Sequence, residues 1–171
     1  MGISTRKVDC VFLAASIEWT APPPQFTQTD PNDIRTVNMS VVNGSTQVAL
    51  TWSYTLPDGI GVRTTNFRKG ASPGASLSDV GSIFHDIGTY RLLDARFNIS
   101  RSEVATLIIN KVTEREGAVY QCEVETSPLN RWKSNIRVIV TGEIAMYKLI
   151  ADTRRCQSIN RSSILTDNNQ G

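Results

Sequence analysis

Apolar and polar residues alternate with a period of two through most of the chain between residues 47 and 140. That period belongs to β-strands with one face turned inward. From Gln47 to Tyr54, one face carries Val48, Leu50, Trp52 and Tyr54, and the other carries Gln47, Ala49, Thr51 and Ser53. A second strand is expected from Val62 to Lys69, with Phe67 inward. The pattern repeats at Phe97 and Ile99, at Leu107 and Ile109, and at Tyr120, Cys122 and Val124. Asn135 to Val140 forms a last, returning strand.

Turn signals separate these runs: Leu56-Pro57-Asp58-Gly59, the small polar stretch Gly70 to Ser76, and a hairpin loop expected at Asn130 to Ser134. Ala21-Pro22-Pro23-Pro24-Gln25-Phe26 reads as an extended lead into a first edge strand, because proline lacks a backbone donor. No helical period of comparable strength precedes residue 142. About seven to nine short strands between polar turns predict an all-β sandwich of two antiparallel sheets with irregular tails.

Three segments together point to a family. Glu116-Gly117-Ala118-Val119-Tyr120-Gln121-Cys122 places a Tyr two residues before a Cys, after an acidic and two small residues. Leu107, Ile109 and Val112 precede it at L-x-I-x-x-V spacing, and Arg96-Phe97-Asn98-Ile99-Ser100 lies further upstream. The combination resembles strands D, E and F of an immunoglobulin-like domain of variable or intermediate type, spanning residues 23–141. The resemblance implies a tyrosine corner, in which the Tyr120 hydroxyl bonds to the backbone a few residues upstream. It also implies an ion pair between Arg96 and Glu116, where Asp is usual, and a core built on Trp52, Phe67, Leu107, Tyr120 and Cys122.

The same resemblance exposes a departure. The family's V-x-L-x-C-x-Y pattern on strand B is kept at Val48 to Tyr54, except that Trp52 stands at the cysteine position. Trp52 precedes Cys122 by 70 residues (122 − 52), the spacing of a variable-type domain, so Cys122 has no framework partner. Losing such a disulfide costs about 2–5 kcal/mol. An indole between the sheets offsets part of this, since an aromatic side chain buries ~150–250 Å². Phe67 or Asn66 occupies the place of the strand C tryptophan, so the aromatic core moves to strand B. Cys122 is expected to be a free, buried thiol.

Charge and composition remove several function classes. The chain has 171 residues, 40% of them hydrophobic, which suits a packed core. Its formal net charge is only +2 and Lys and Arg form no block, so nucleic-acid binding gains no support. No apolar run approaches the ~20 residues of a membrane helix. Arg6 and Lys7 ahead of Cys10 to Ser16 suggest a short signal peptide within residues 1–22, against the alternative of an irregular tail. In residues 142–171, Glu143 to Arg155 suits a short helix or the start of another domain, and the polar remainder is expected to be disordered. Cys156 is either an unpaired tail thiol or a link to another chain.

Catalytic chemistry finds no foothold in the pattern. His85 is the only histidine, which removes two-histidine metal sites, and Phe84-His85-Asp86-Ile87 reads as a C″-to-D connection. There is no paired-cysteine zinc spacing, phosphate loop or nucleophile elbow. No enzyme activity, cofactor or metal is expected. Glu123 and Glu125 alternate outward and read as a solvated strand face. Asn38, Asn43, Asn98 and Asn160 head N-x-S sequons, which carry N-linked glycan if the chain enters the secretory pathway.

The resemblance implies an extracellular, secreted or cell-surface recognition or adhesion module. Its partner would be a protein ligand, met by the end loops or the C-F-G sheet face. Candidate contacts are Asn130, Arg131, Trp132 and Lys133 at the expected F–G loop, since Trp and Arg are enriched at binding hot spots. The alternative for Trp132 is that it packs back on the sheet. The rival function is a structural spacer beside neighbouring immunoglobulin-like domains in a longer adhesion or matrix protein. A carbohydrate-binding sandwich would need a row of exposed aromatics, and a fibronectin-type sandwich would lack the acidic-to-Cys corner.

Overall fold

A computed structural model describes residues 16–100 and 105–142. The expected signal segment through residue 15, the expected tail helix, Cys156 and Asn160 lie outside the described residues. Eleven strands run in chain order: β1 (Ile17–Ala21), β2 (Phe26–Gln28), β3 (Arg35–Val42), β4 (Gln47–Thr55), β5 (Gly61–Gly70), β6 (Ser78–Phe84), β7 (Thr89–Leu92), β8 (Phe97–Ser100), β9 (Ala105–Asn110), β10 (Val119–Ser127) and β11 (Arg131–Thr141). One 3-10 turn, Glu114–Glu116, links β9 to β10.

The strands form two sheets, ordered β2-β1-β4-β9-β8 and β3-β11-β10-β5-β6-β7. Every pairing is antiparallel except β3 with β11, which run parallel. The reading from alternation of seven to nine antiparallel strands is therefore extended to eleven, one pair of them parallel. The strands that the alternation did not name are β1, β3, β6 and β7.

Two boundaries differ from the sequence reading. The sandwich begins at Ile17, ahead of the expected start at residue 23, with Ile17 and Trp19 fully buried. Trp19 donates from Nε1 to Gln28 Oε1 at 2.9 Å, which ties β1 to β2 and satisfies both buried polar groups. The prolines at 22–24 occupy the connection between these strands, where missing donors cost nothing. At the other end, β11 starts at Arg131, so the F–G connection shrinks to residues 128–130. Phe84-His85-Asp86-Ile87 is corrected too: it closes the β6–β7 hairpin, the C′-to-C″ connection.

The core lies between the sheets where the inward faces meet. Leu50 and Trp52 from β4 and Leu107 and Ile109 from β9 meet Phe67, Tyr120, Cys122 and Val124 from the second sheet. Trp52 and Phe67 rings approach to 5.9 Å between centroids. Cys122 is buried and free, with Phe67 and Ser134 as its cross-strand neighbours. Burial, with the nearby Glu123 charge adding to it, pushes the Cys122 thiol well above its ordinary pKa. The indole brings one cost: Trp52 Nε1 is buried without a hydrogen-bond partner, as is Ser134 Oγ.

Candidate binding site

Strand register places three connections at one end of the sandwich. Ser127, at the end of β10, pairs with Gly61, at the start of β5, and Thr64 pairs with both Glu125 and Phe84. Residues 56–60, 85–88 and 128–130 therefore line one rim. Successive strands lie ~4.8 Å apart, so β10 and β6, the facing strands of the F–G and C′–C″ connections with β5 between them, stand roughly 10 Å apart. The rim carries Ile87 and Leu129, 71% and 63% exposed, the two most exposed large apolar side chains among the described residues. Phe84 is exposed beside them at the end of β6.

The four residues expected to form a contact loop do not act as one. Asn130 is half-buried in the turn, where its carbonyl accepts from the Thr126 amide at 3.0 Å. Arg131 is exposed and 4.0 Å from Glu125. Trp132 is only 1% exposed, paired across the sheet with Val124, so it belongs to the core rather than to an exposed loop. Lys133 points outward again, 3.6 Å from Glu123. The physical reason is phase: once β11 begins at Arg131, alternation sends Trp132 inward with Ser134, Ile136 and Val138. That run of inward residues is the available signal, and it begins at Trp132, three residues ahead of the expected strand.

The outer face of the second sheet is not a plain solvated surface. Glu123 is buried, contrary to the sequence expectation, under Arg68 Nη1 at 3.0 Å and Lys133 Nζ at 3.6 Å. Arg68 also reaches Asp79 at 2.9 Å, and Gln121 donates to Asn135 at 3.0 Å. Glu125 stays half-buried. Beside this network, the connection after β5 overhangs a cavity of ≈ 630 Å³ lined by Ile34, Leu77, Val119, Gln121 and Asn135. Its cations already hold carboxylates, which leaves the cavity weakly charged.

The opposite end is pinned by polar contacts. Glu116 is buried and forms a capping box with Thr113, accepting from its amide at 3.0 Å and its hydroxyl at 2.6 Å. Arg96 Nη1 lies 3.1 Å from Glu116 Oε1, Lys69 Nζ lies 3.8 Å away, and Tyr120 Oη donates to the Glu116 carbonyl at 3.2 Å. Burial works against the Glu116 charge, yet the Thr113 hydrogen bonds and then Lys69 and Arg96 outweigh it and leave the pKa lowered. Arg96 bonds Asp94 as well, and that contact holds the Asp94 pKa down.

His85 sits at the loop rim, exposed, with Nε2 3.0 Å from Thr65 Oγ1. Partial burial of its ring lowers its pKa against the pull of Asp86. Among the described residues no cluster of three His, Cys, Asp or Glu converges as a metal site. No helix among them is long and apolar enough to cross a membrane. The sequon residues Asn38 and Asn98 are exposed on β3 and β8, and Asn43 is half-buried at the β3–β4 turn.

No family model and no curated protein matches the chain in sequence. Among solved structures, murine CRIg matches at 15% identity and a TM-score of 0.51, covering 61% of this chain and 92% of that one. The first Ig-like domain of human CD48 antigen matches at 19% identity and a TM-score of 0.49, over 67% of this chain and 88% of that one. The CRIg likeness, at so low an identity, speaks for the fold alone and leaves the ligand open. The added strands β6 and β7 beside β5 are the C′ and C″ strands of the variable type. The described residues thus form an immunoglobulin-like β-sandwich with Trp52 at the strand B position that usually holds a cysteine.

Proposed function

We propose that this domain is a non-enzymatic extracellular recognition or adhesion module that meets a protein ligand with its loop rim. The observation that carries the reading is the pairing of Ile87 and Leu129 at one end, each more than half exposed. Single exposed apolar residues are ordinary, but several on one rim supply the apolar centre a protein interface needs. The C-F-G face supports a contact less well, because Arg68, Lys133 and Glu123 already neutralise one another there. A partner docking on that face would have to desolvate a satisfied network.

The test is a binding screen of the soluble full chain against a panel of secreted and cell-surface ectodomains. A protein partner whose binding is lost in Ile87→Asp/Leu129→Asp and kept in Lys133→Ala supports the loop rim. Loss in Lys133→Ala alone moves the contact to the sheet face. Failure to bind any ectodomain favours the spacer role.

A further inference from the structure

We propose that Asn38 and Asn98 carry N-linked oligosaccharides that cover the outer faces of the two sheets and leave the loop rim bare. This rests on the extracellular reading, since the modification requires passage through the secretory pathway. The argument begins with strand position. β3 and β8 are each the last strand of their sheet, so each presents an open row of backbone groups to solvent. Such rows pair with other chains unless something covers them. Both strands hold a sequon at an exposed Asn: Asn38-Met39-Ser40 on β3 and Asn98-Ile99-Ser100 on β8.

Register then fixes which surface each sugar would cover. Asn38 pairs with Arg137, which pairs with Val119, which pairs with Gly70. That row crosses the outer face at the end opposite the loop rim. Ser40 pairs with Ile139, so an apolar side chain 39% exposed lies one outward position away from Asn38. Three residues of strand, roughly 10 Å at ~3.3 Å each, already separate Asn38 from the first residue of β3. On the other sheet, Asn98 points away from the core between the inward Phe97 and Ile99. Its Oδ1 accepts from the Ile99 amide at 2.8 Å, a contact that leaves the two Nδ2 hydrogens unused. Asn43 lies at the β3–β4 turn, also remote from the rim. No described sequon falls on residues 56–60, 85–88 or 128–130.

The chemistry is a glycosyl transfer from a lipid-diphosphate-linked oligosaccharide, catalysed by the host cell's transferase. A bond forms between the anomeric carbon and Asn Nδ2 while the anomeric C–O bond to the diphosphate breaks. The lipid diphosphate leaves with the electron pair, and one amide proton is released. The product is a hydrated, uncharged bulk over Ile139 and the β3 edge, and a second over the β8–β9 face. Ile87 and Leu129 remain the uncovered apolar surface.

The full chain, secreted from mammalian cells behind a supplied leader, tests this by peptide mass mapping and hydroxyl-radical labelling. Glycan masses are expected on the peptides holding Asn38 and Asn98. Ser40→Ala should remove one glycan and keep the other. Enzymatic deglycosylation should raise labelling of Ile139 several-fold and leave Ile87 and Leu129 unchanged. Unmodified Asn38 and Asn98 in the secreted protein, or glycan-dependent protection of Ile87 and Leu129, would overturn the proposal. Because the leader is supplied, these outcomes are separate from the recognition reading, which stands or falls with the ectodomain binding screen.

Discussion

The two ends of the sandwich solve opposite problems. At the lower end, Arg96, Lys69, Thr113 and Tyr120 all converge on Glu116, so nearly every polar group has a partner. At the upper end, the short F–G turn is closed by two backbone-directed bonds from Thr126, and Ile87 and Leu129 are left in water. A pinned end contributes to stability and has little left to offer a partner. A bare apolar rim adds nothing to the isolated fold and is useful only when something covers it. The difference separates residues that hold the domain together from residues that would bind.

The largest expected effect lies between the ends, in the layer both depend on. Trp52→Ala should destabilise by about 3–5 kcal/mol, because a cavity opens between sheets that no disulfide staples. Thermal or urea unfolding reads this, and a loss below ~1 kcal/mol would show that the indole does not replace the covalent link. Next comes Glu116→Ala, which strips the cap and orphans the Thr113 amide and hydroxyl, for about 1–3 kcal/mol. Arg96→Ala should cost only ~0–1 kcal/mol, since its side chain is half exposed and water screens the pair. Equal losses from these two variants would mean that the ion pair, rather than the capping box, pins the lower end.

The same end should show a pH signature. Glu116 and Asp94 have folded pKa values below their unfolded ones. Their ionised forms therefore stabilise the fold above the unfolded carboxylate range of about 4, and that contribution is lost as pH falls through the folded values. Urea midpoints measured downward from pH 5 should fall, and Glu116→Gln should flatten the slope. If the slope is unchanged in that variant, other carboxylates govern acid unfolding.

Smaller still are the effects expected at the sites the ends do not share. Cys122 should resist a thiol reagent in the native state and react once unfolded, because burial disfavours its thiolate. Rapid native labelling would contradict a closed core. Ile87→Asp should change stability by no more than ~0.5 kcal/mol while abolishing partner binding. A large loss of stability there would assign Ile87 to packing and remove the contrast between the ends.

Much of the fold could be read along the chain because period two is a backbone property. Val48 to Tyr54 and Tyr120 to Val124 alternate whatever their neighbours are, and the corner motif from Glu116 to Cys122 names its own turn. Strand ends were harder to read. Trp132 looked like a loop residue because Asn130 and Lys133 flank it, yet its partner Val124, eight positions upstream, sets its phase. Glu123 looked solvated for a similar reason, since Arg68, which covers it, comes from 55 residues away. Trp19 was obscured by a leader-like segment before it and three prolines after it, and only Gln28 and β4 show why it is buried.

The chain by itself determined the strand period, the tyrosine corner and the absence of a strand B cysteine, because each is written in residues a few positions apart. Tertiary structure alone decided which tryptophan faces inward at the rim, which carboxylate is covered and which apolar side chains stay in water. Those outcomes depend on register between distant strands, where a shift of one residue exchanges the buried face for the exposed one.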